Sequence, residues 1–192
     1  MTPPPTVDLA EHLDRLLVVS DTHFGHDNII EYTSRPFRAD EQDEIMLGRW
    51  RETVGPSDPV LHLGDVVVGA GPGIWPRIAA LPGSPRWLVL GNHDKEHRLP
   101  GIAAAGFVVL PPPVFAYRGW LVACTHEPMP PAEIDLLAGG RTLNVHGHVH
   151  DKLWLAPDRR QINVCVELTD YRPVRLRPLL DARLAELERA EA

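Results

Sequence analysis

Short apolar runs recur along the chain, and each is followed at once by a small group of Gly, Asp, Asn, Thr or His residues. Apolar runs of this length are typical of buried strands, and residues with turn propensity mark where such strands end. The five runs lie at residues 16–19, 60–63, 87–90, 120–123 and 143–145. The repeated arrangement predicts five strands whose polar ends form a single site.

Segments with helical periodicity lie between and after these strands. The predicted helices cover residues 40–53, 74–81, 96–105, 131–138 and 177–192. Asp40 is expected to cap the first of them, and Leu180, Leu184 and Leu187 lie on one face of the last. Further strands are predicted at 107–110, at 114–117 and 120–124 as a hairpin, at 153–155 and at 161–166. Alternating strands and helices, followed by a run of strands, predict an α/β fold of two stacked sheets flanked by helices.

The length of 192 residues fits one domain, residues 1–192, and is sufficient to bury a substantial hydrophobic core. A Pro-rich start predicts a flexible segment over residues 1–15. Residues 22–36 are expected to form a loop, and the Gly-rich stretch 69–73, which has no phosphate-loop lysine, is expected to be a flexible connection.

Composition and charge argue against several classes of protein. A formal net charge of −7 disfavours broad contact with long nucleic acid. The two cysteines, Cys124 and Cys165, lie in apolar runs without disulfide or metal spacing, which predicts inert core thiols. No signal peptide or membrane-spanning run is visible, so a cytoplasmic protein with no membrane partner is expected.

The residues at the five strand ends are those that bind divalent metals or carry protons. In chain order the clusters are Asp21-Thr22-His23, Gly64-Asp65, Gly91-Asn92-His93-Asp94, Thr125-His126 and His146-Gly147-His148-Val149-His150. One such cluster could be a turn with a surface ion pair, but five in series indicate one site. Imidazole nitrogen combined with carboxylate or amide oxygen suits divalent transition metals.

The spacing of the clusters favours a site with two metals. Alternate residues of an extended chain share a face, so Asp21 and His23, and likewise His148 and His150, can offer ligands in pairs. Asp65 has two carboxylate oxygens and could bridge two ions. Two metals about 3.5–4 Å apart can hold the attacking and the leaving oxygen of a phosphoryl group. Their charge would also attract a phosphate anion to an acidic protein.

In this order, Asp-x-His, Gly-Asp, Gly-Asn-His-Asp, a lone His and Gly-His-x-His resemble the calcineurin-like metallophosphoesterases. The Asp-Thr-His-Phe-Gly-His opening, with Asn163-Val164-x-Val166-Glu167 and Tyr171-x-Pro173-Val174 near the end, is similar to the small single-domain prokaryotic and phage branch. The resemblance implies a four-layer sandwich of two mixed sheets between helices. It also implies that Asp21, His23, Asp65 and His150 hold one metal, and that Asp65, Asn92, His126 and His148 hold the other.

The resemblance further implies catalytic roles for His93 and Asp94. His93 would protonate the leaving group or stabilise the phosphoryl oxygens, and Asp94 would orient its ring. Asn92, His93 and His26 would contact the substrate. His146 could support the ligands from behind, and Arg35, Arg38 and Lys95 could bind a substrate anion or remain solvated.

The sequence therefore predicts a metal-dependent phosphoesterase that uses a metal-bridging hydroxide on a small phosphodiester or phosphomonoester, for example a nucleotide. The expected cofactors are two divalent transition metal ions, Mn²⁺ first, with Fe, Zn, Ni and Co compatible with the same ligands. The alternatives are a phosphatase acting on a phosphoprotein or an RNA end, a metal-binding scaffold with weak catalysis, and a mononuclear hydrolase of other esters. The oligomeric state is left open.

Overall fold

Nine strands form two mixed sheets in the computed structural model, which describes residues 7–69, 73–155 and 158–191. The first sheet contains β1 (Leu17–Val19), β2 (Val60–His62), β3 (Arg86–Val89), β4 (Phe107–Leu110) and β9 (Val174–Arg175). Their order is β4-β3-β2-β1-β9, and only β9 runs antiparallel to its neighbour. The carboxyl ends of β1, β2 and β3 therefore lie at one edge of the sheet.

The second sheet has the order β5-β6-β7-β8. It contains β5 (Val114–Tyr117), β6 (Trp120–Cys124), β7 (Thr142–His146) and β8 (Gln161–Asn163). The β5–β6 pair is the predicted hairpin, whereas β6, β7 and β8 are parallel. Parallel pairing brings the ends of β6 and β7 to one edge, as in the first sheet.

Helices cover the sheets. They are α1 (Ile29–Tyr32), α2 (Gln42–Thr53), α3 (Ile74–Ala79), α4 (Leu99–Ala104), α5 (Pro131–Leu136) and α6 (Leu176–Glu191). Short 3-10 turns lie at Leu9–His12, Glu96–Arg98, Leu137–Gly140, Leu153–Leu155 and Val166–Leu168. None of the helices in the described ranges is long and apolar enough to cross a membrane.

Two apolar clusters hold these layers together. The first lies between the sheets and includes Val18 from one sheet, Val122 from the other and Leu180 from α6. The second packs the outer face of the first sheet against α2, α3 and α4, with Trp50 and Ile78 among its buried members. The expected α/β sandwich of two mixed sheets flanked by helices is confirmed.

Several local predictions differ from the structure. Residues 153–155 form a 3-10 turn, not a strand, because the amide of Leu155 donates to Lys152 O within the same turn. The strand predicted at 161–166 stops at Asn163, whose side-chain oxygen accepts from the amide of Cys165 and so replaces a strand partner. Asp40 does not cap α2, because its carboxylate accepts from the side chain of Arg38.

Other expectations fall partly on residues that the structure does not describe. Residues 1–6 and 70–72 lie outside the described ranges, so the flexibility expected there stays a prediction. Leu9 and Leu13, within the segment 1–15, are buried in the core. The loop expected at 22–36 contains the single helical turn α1.

Candidate metal centre

The five strand ends identified in the sequence converge at the edge where the two sheets meet. Asp21 and His23 follow β1, Asp65 follows β2, and Asn92 follows β3. The remaining predicted ligands come from the second sheet, His126 after β6, and His148 and His150 after β7.

One set of ligand atoms surrounds Asp21. His23 Nε2 lies 3.5 Å from Asp21 Oδ1 and 3.6 Å from Asp65 Oδ2. His150 Nε2 lies 4.0 Å from the same Asp21 oxygen. Asp21, His23 and His150 offer one atom each within 4.8 Å of one another, a spacing at which they could hold one metal ion.

A second set of ligand atoms surrounds Asn92. Its Oδ1 lies 2.9 Å from His126 Nε2 and 3.0 Å from His148 Nδ1, and these two nitrogens are 3.2 Å apart. Three polar atoms from three different loops thus point at one small volume. Asp65 Oδ2 lies 3.5 Å from His126 Nε2 and completes a mixed N/O set.

Asp65 stands between the two sets. Its Oδ2 faces His23 on one side and His126 on the other, at 3.6 and 3.5 Å. Its other oxygen, Oδ1, accepts a hydrogen bond from the amide of His93 at 2.7 Å. This placement is the one that a carboxylate shared by two ions requires.

Buried polar atoms without partners support a cation in the first set. Asp21 Oδ1 and both ring nitrogens of His23 are buried and have no hydrogen-bond partner among the residues that the structure describes. A buried polar atom left unpaired costs on the order of 1–3 kcal/mol. A coordinated metal would supply the missing partner for the carboxylate oxygen and for one ring nitrogen.

Hydrogen bonds on the outer ring nitrogens orient two ligands. His126 Nδ1 lies 2.7 Å from Leu63 O, and His150 Nδ1 lies 3.1 Å from Glu167 Oε1. In each case Nδ1 donates, which leaves Nε2 with a lone pair directed at the ligand set. Such outer contacts fix the tautomer of metal-binding histidines.

Glu167 is in turn held by Arg35. Arg35 Nε and Nη2 donate to Glu167 Oε1 at 2.9 and 2.7 Å, and Nη2 also donates to the backbone oxygen of Asp21 at 2.9 Å. The guanidinium is buried and linked to the loop after β1, so neither alternative for Arg35, a contact with a substrate anion or a solvated charge, holds. It fixes the positions of Asp21 and Glu167 instead.

Cys165 contacts Asp21, which the sequence did not predict. Its thiol donates to Asp21 Oδ2 at 3.2 Å. Burial raises the pKa of this thiol well above its usual range, and the charges of Asp21 and Glu167 add to the rise. The thiol therefore stays protonated and acts as a donor that positions Asp21, a role with no signature in cysteine spacing.

The backbone is strained at the candidate ligands. Five of the seven have left-handed φ angles: Asp21 (59°), His23 (48°), Asp65 (60°), His148 (68°) and His150 (50°). Asp and His tolerate this region better than most residues. Each such residue nevertheless costs on the order of 1–3 kcal/mol, and such residues cluster at functional sites.

Two glycines let the chain approach the carboxylates. A Cβ atom at Gly91 would lie 2.3 Å from Asp65 Oδ1, and one at Gly147 would lie 2.2 Å from Asp21 Oδ2. Neither distance is possible for a real side chain. The Gly-Asn-His-Asp and Gly-His-x-His motifs therefore need glycine at these positions for steric reasons.

The two carboxylates differ in how readily they ionise. Burial opposes ionisation of Asp21, but the nearby imidazoles of His23, His126 and His150 hold its pKa below the usual range. Burial raises the pKa of Asp65 to about 6, with His126 opposing the rise and Asp21 adding to it. Burial lowers the pKa of His23 to about 4, so this ring is neutral and able to coordinate. The donor set therefore fits a divalent cation, which would favour the ionised form of Asp65.

His93 lies beside the ligands. Its ring centroid is 5.4 Å from that of His23, and its side chain is partly exposed at the mouth of the site. Arg98 donates to the backbone oxygen of His93. Burial, followed by the positive charges of Arg98, His26 and Lys95, lowers the pKa of His93.

Asp94 has a different role from the one expected. Its Oδ2 accepts from the amides of Asp65 and Gly91 at 2.7 and 2.9 Å, and its Oδ1 accepts from the amide of Val66 at 3.1 Å. Among the described residues, no hydrogen bond joins Asp94 to the ring of His93. With both oxygens engaged by backbone amides, Asp94 fixes the loop of Asp65 and does not orient His93.

Three further histidines near the cluster are one residue at its mouth and two buried ones. His26 is partly exposed, with its ring centroid 5.9 Å from that of His23. His146 Nδ1 lies 2.8 Å from Gly147 O, and its Nε2 has no hydrogen-bond partner within the described part of the chain. His62 accepts from the amide of Gly64 and lies 3.1 Å from Thr22 Oγ1, which is a structural role.

Comparison with known proteins gives the family context of these residues. The sequence profile described as calcineurin-like phosphoesterase matches residues 14–166, a range that contains all seven candidate ligands. An uncharacterized protein of Methanocaldococcus jannaschii is 30% identical over 174 residues, covering 84% of this chain and 87% of that protein. The crystal structure of a protein of unknown function from Aquifex aeolicus is similar with a TM-score of 0.63 at 26% identity, covering 83% of this chain and 94% of that chain.

Proposed function

This chain belongs to the calcineurin-like phosphoesterase family, and we propose that it is a dinuclear metal-dependent hydrolase of small phosphodiesters or phosphomonoesters such as nucleotides. The observation that carries the proposal is the position of Asp65 Oδ2, within 3.6 Å of His23 on one side and 3.5 Å of His126 on the other. A carboxylate oxygen between two ligand sets suits two ions better than one.

Each ion would have its own ligands. Asp21, His23, Asp65 and His150 would hold the first, and Asp65, Asn92, His126 and His148 the second. Divalent transition ions, Mn²⁺ first among them, tolerate such mixed N/O ligands. When bound, the pair would neutralise charge on the phosphoryl oxygens and make a water molecule more acidic.

The chain supplies the remaining functions. His93 sits next to the ligand sets with its ring partly exposed, so it can donate a hydrogen bond or a proton to the departing oxygen. The bond from its amide to Asp65 Oδ1 ties its position to the shared carboxylate. Asn92 presents its amide at the same edge and can contact a phosphoryl oxygen.

The first test compares bis-p-nitrophenyl phosphate with p-nitrophenyl phosphate as substrates. The protein is stripped of metal and then supplied separately with Mn²⁺, Ni²⁺, Zn²⁺ or Mg²⁺. Turnover of either ester that depends on added metal supports the proposal, and the ratio of the two rates distinguishes diesterase from monoesterase. Two bound ions per chain without turnover of either ester would refute hydrolysis and favour a metal-binding scaffold.

Matched variants show whether turnover belongs to this site. His93→Ala should lower activity while keeping both ions, whereas His97→Ala, at an exposed histidine outside the cluster, should leave activity and metal content unchanged. Phosphopeptides and RNA with terminal phosphates, assayed under the same conditions, test the alternative substrates. Faster turnover of either one than of small nucleotides would replace the preferred substrate class.

A further inference from the structure

Three aromatic rings lead from the candidate metal ligands to the surface. The ring centroid of His26 lies 5.9 Å from that of the ligand His23 and 6.0 Å from that of Tyr32. Both pairs are edge-to-face, with interplanar angles of 64° and 87°. The series of rings extends the site sideways from the candidate metal ligands.

Tyr32 is exposed to an unusual degree for its type. Its relative exposure is 60%. Among the Phe, Tyr and Trp side chains whose burial the structure describes, Tyr32 alone is exposed. Its neighbours Ile29 and Thr33 are buried, so the helical turn itself packs well and only this ring projects. An exposed aromatic ring near a candidate metal centre can stack with a planar ligand.

The backbone that carries the two rings is held firmly. The amide of His26 donates to His23 O at 3.1 Å, and the buried Gln42 donates from its side chain to His26 O at 3.0 Å. The amide of Tyr32 donates to Asn28 O at 3.3 Å, closing α1. A preorganised surface of this kind loses little entropy when a ligand binds.

We infer that the exposed ring of Tyr32, set edge-to-face against His26, forms a platform that stacks with a planar aromatic group of the substrate, such as the base of a nucleotide, while its phosphate lies at the ligand sets. The inference rests on the proposed function, because it places the phosphate there. It assigns substrate selectivity to Tyr32, a residue outside the metal-binding motifs.

The test compares adenosine 5′-monophosphate with ribose 5-phosphate, which carries the same phosphate and sugar without the base. Dissociation constants are measured by calorimetry on Mn²⁺-loaded protein. If the protein hydrolyses one of these two ligands, the dissociation constant is replaced by the inhibition constant of that ligand, measured on the hydrolysis of bis-p-nitrophenyl phosphate. The variants are Tyr32→Ala, Tyr32→Phe and, as a control at an exposed apolar residue elsewhere, Leu136→Ala.

Wild type, Tyr32→Phe and Leu136→Ala should bind the nucleotide at least about fivefold more tightly than the sugar phosphate, the factor that about 1 kcal/mol of base stacking provides. In Tyr32→Ala this preference should fall to about one. The affinity for ribose 5-phosphate should be the same in all four proteins.

The outcomes separate this inference from the proposed function. Equal affinity for the two ligands in wild type, or an unchanged preference in Tyr32→Ala, would overturn the platform and leave hydrolysis untouched. Failure of both ligands to bind, or equal weakening of both in Tyr32→Ala, would overturn it as well. A base preference that depends on Tyr32 in a protein without turnover of any ester would support the platform and refute the hydrolase.

Discussion

Replacement of Asp94 by asparagine tests whether this residue positions the Asp65 loop or orients His93. The carboxylate accepts three backbone hydrogen bonds, from Asp65, Gly91 and Val66. An asparagine has one acceptor oxygen, which can keep the two bonds made by Oδ2. Its amide nitrogen would then face the amide of Val66, so one bond is lost and two donors oppose each other.

The expected loss of stability follows from that count. A hydrogen bond to a charged group contributes about 1.5–3 kcal/mol, so Asp94→Asn should destabilise the protein by about 2–3 kcal/mol. For a chain of this size the corresponding decrease in Tm is about 5–10 °C. Because Asp65 is common to both ligand sets, the affinity for both ions should also fall, by about 10- to 100-fold.

Calorimetric unfolding of the metal-free protein and metal titrations would measure both effects. Asp40→Asn is the matched control, since Asp40 is an exposed aspartate whose carboxylate pairs with the exposed Arg38. An Asp94→Asn protein with unchanged Tm and metal affinity, but with lower turnover that depends on the leaving group, would refute the structural role. That result would restore the assignment of Asp94 as the residue that orients His93.

The contacts of Glu167, His93 and Asp58 lead to three more expected outcomes. Glu167→Gln should weaken the ion held with His150 by about 10- to 100-fold and spare the other, as metal titrations would show. His93→Ala should retain both ions but lose activity, and should lose more for alkyl esters than for p-nitrophenyl esters, whose leaving oxygen needs little protonation. Asp58 is buried, but bonds from the amide of Gly55 and from Arg15 and Arg175 outweigh burial and hold its pKa below the usual range. Asp58 therefore stabilises the fold above about pH 4, and this contribution is lost as the pH falls through the lower pKa of the folded state. The urea midpoint of Asp58→Asn should lie below that of wild type at neutral pH and approach it in acid.

Each of these expectations has an outcome that contradicts it. Equal weakening of both ions in Glu167→Gln would mean that Glu167 supports the whole cluster and not one ligand. An equal loss of activity for all leaving groups in His93→Ala would exclude a role in protonation. A difference in urea midpoint between Asp58→Asn and wild type that stays constant into acid would show that the ion pairs of Asp58 do not stabilise the fold.

The metal ligands could be predicted from the sequence because each follows an apolar run. Parallel strands place their carboxyl ends at one edge, so residues far apart in sequence, such as Asp21 and His126, become neighbours whenever the strands pair as expected. The order of the motifs resembles a known family and fixed the grouping into two sets. The structure brings all seven predicted residues together at that edge.

The supporting contacts could not be predicted in the same way. Glu167 and Arg35 meet across 132 positions of sequence, and their pairing depends on side-chain directions that no periodicity reveals. The resemblance to the family implied that Asp94 orients the ring of His93. The turn at Asp94 instead directs its carboxylate toward the amides of Asp65, Val66 and Gly91, which is a consequence of three-dimensional packing.

The left-handed backbone at five candidate ligands serves metal binding but lowers the thermal stability of the metal-free chain. In a metal-free chain those conformations only cost stability. Selection for heat resistance alone would therefore replace the ligands, for example by glycine, which adopts these conformations without strain. A library of variants selected for thermal survival in the presence of a chelator should therefore gather substitutions at positions such as Asp21 and His148. Variants recovered in this way would survive heating better than the natural chain, and they would have lost the ability to hold a metal.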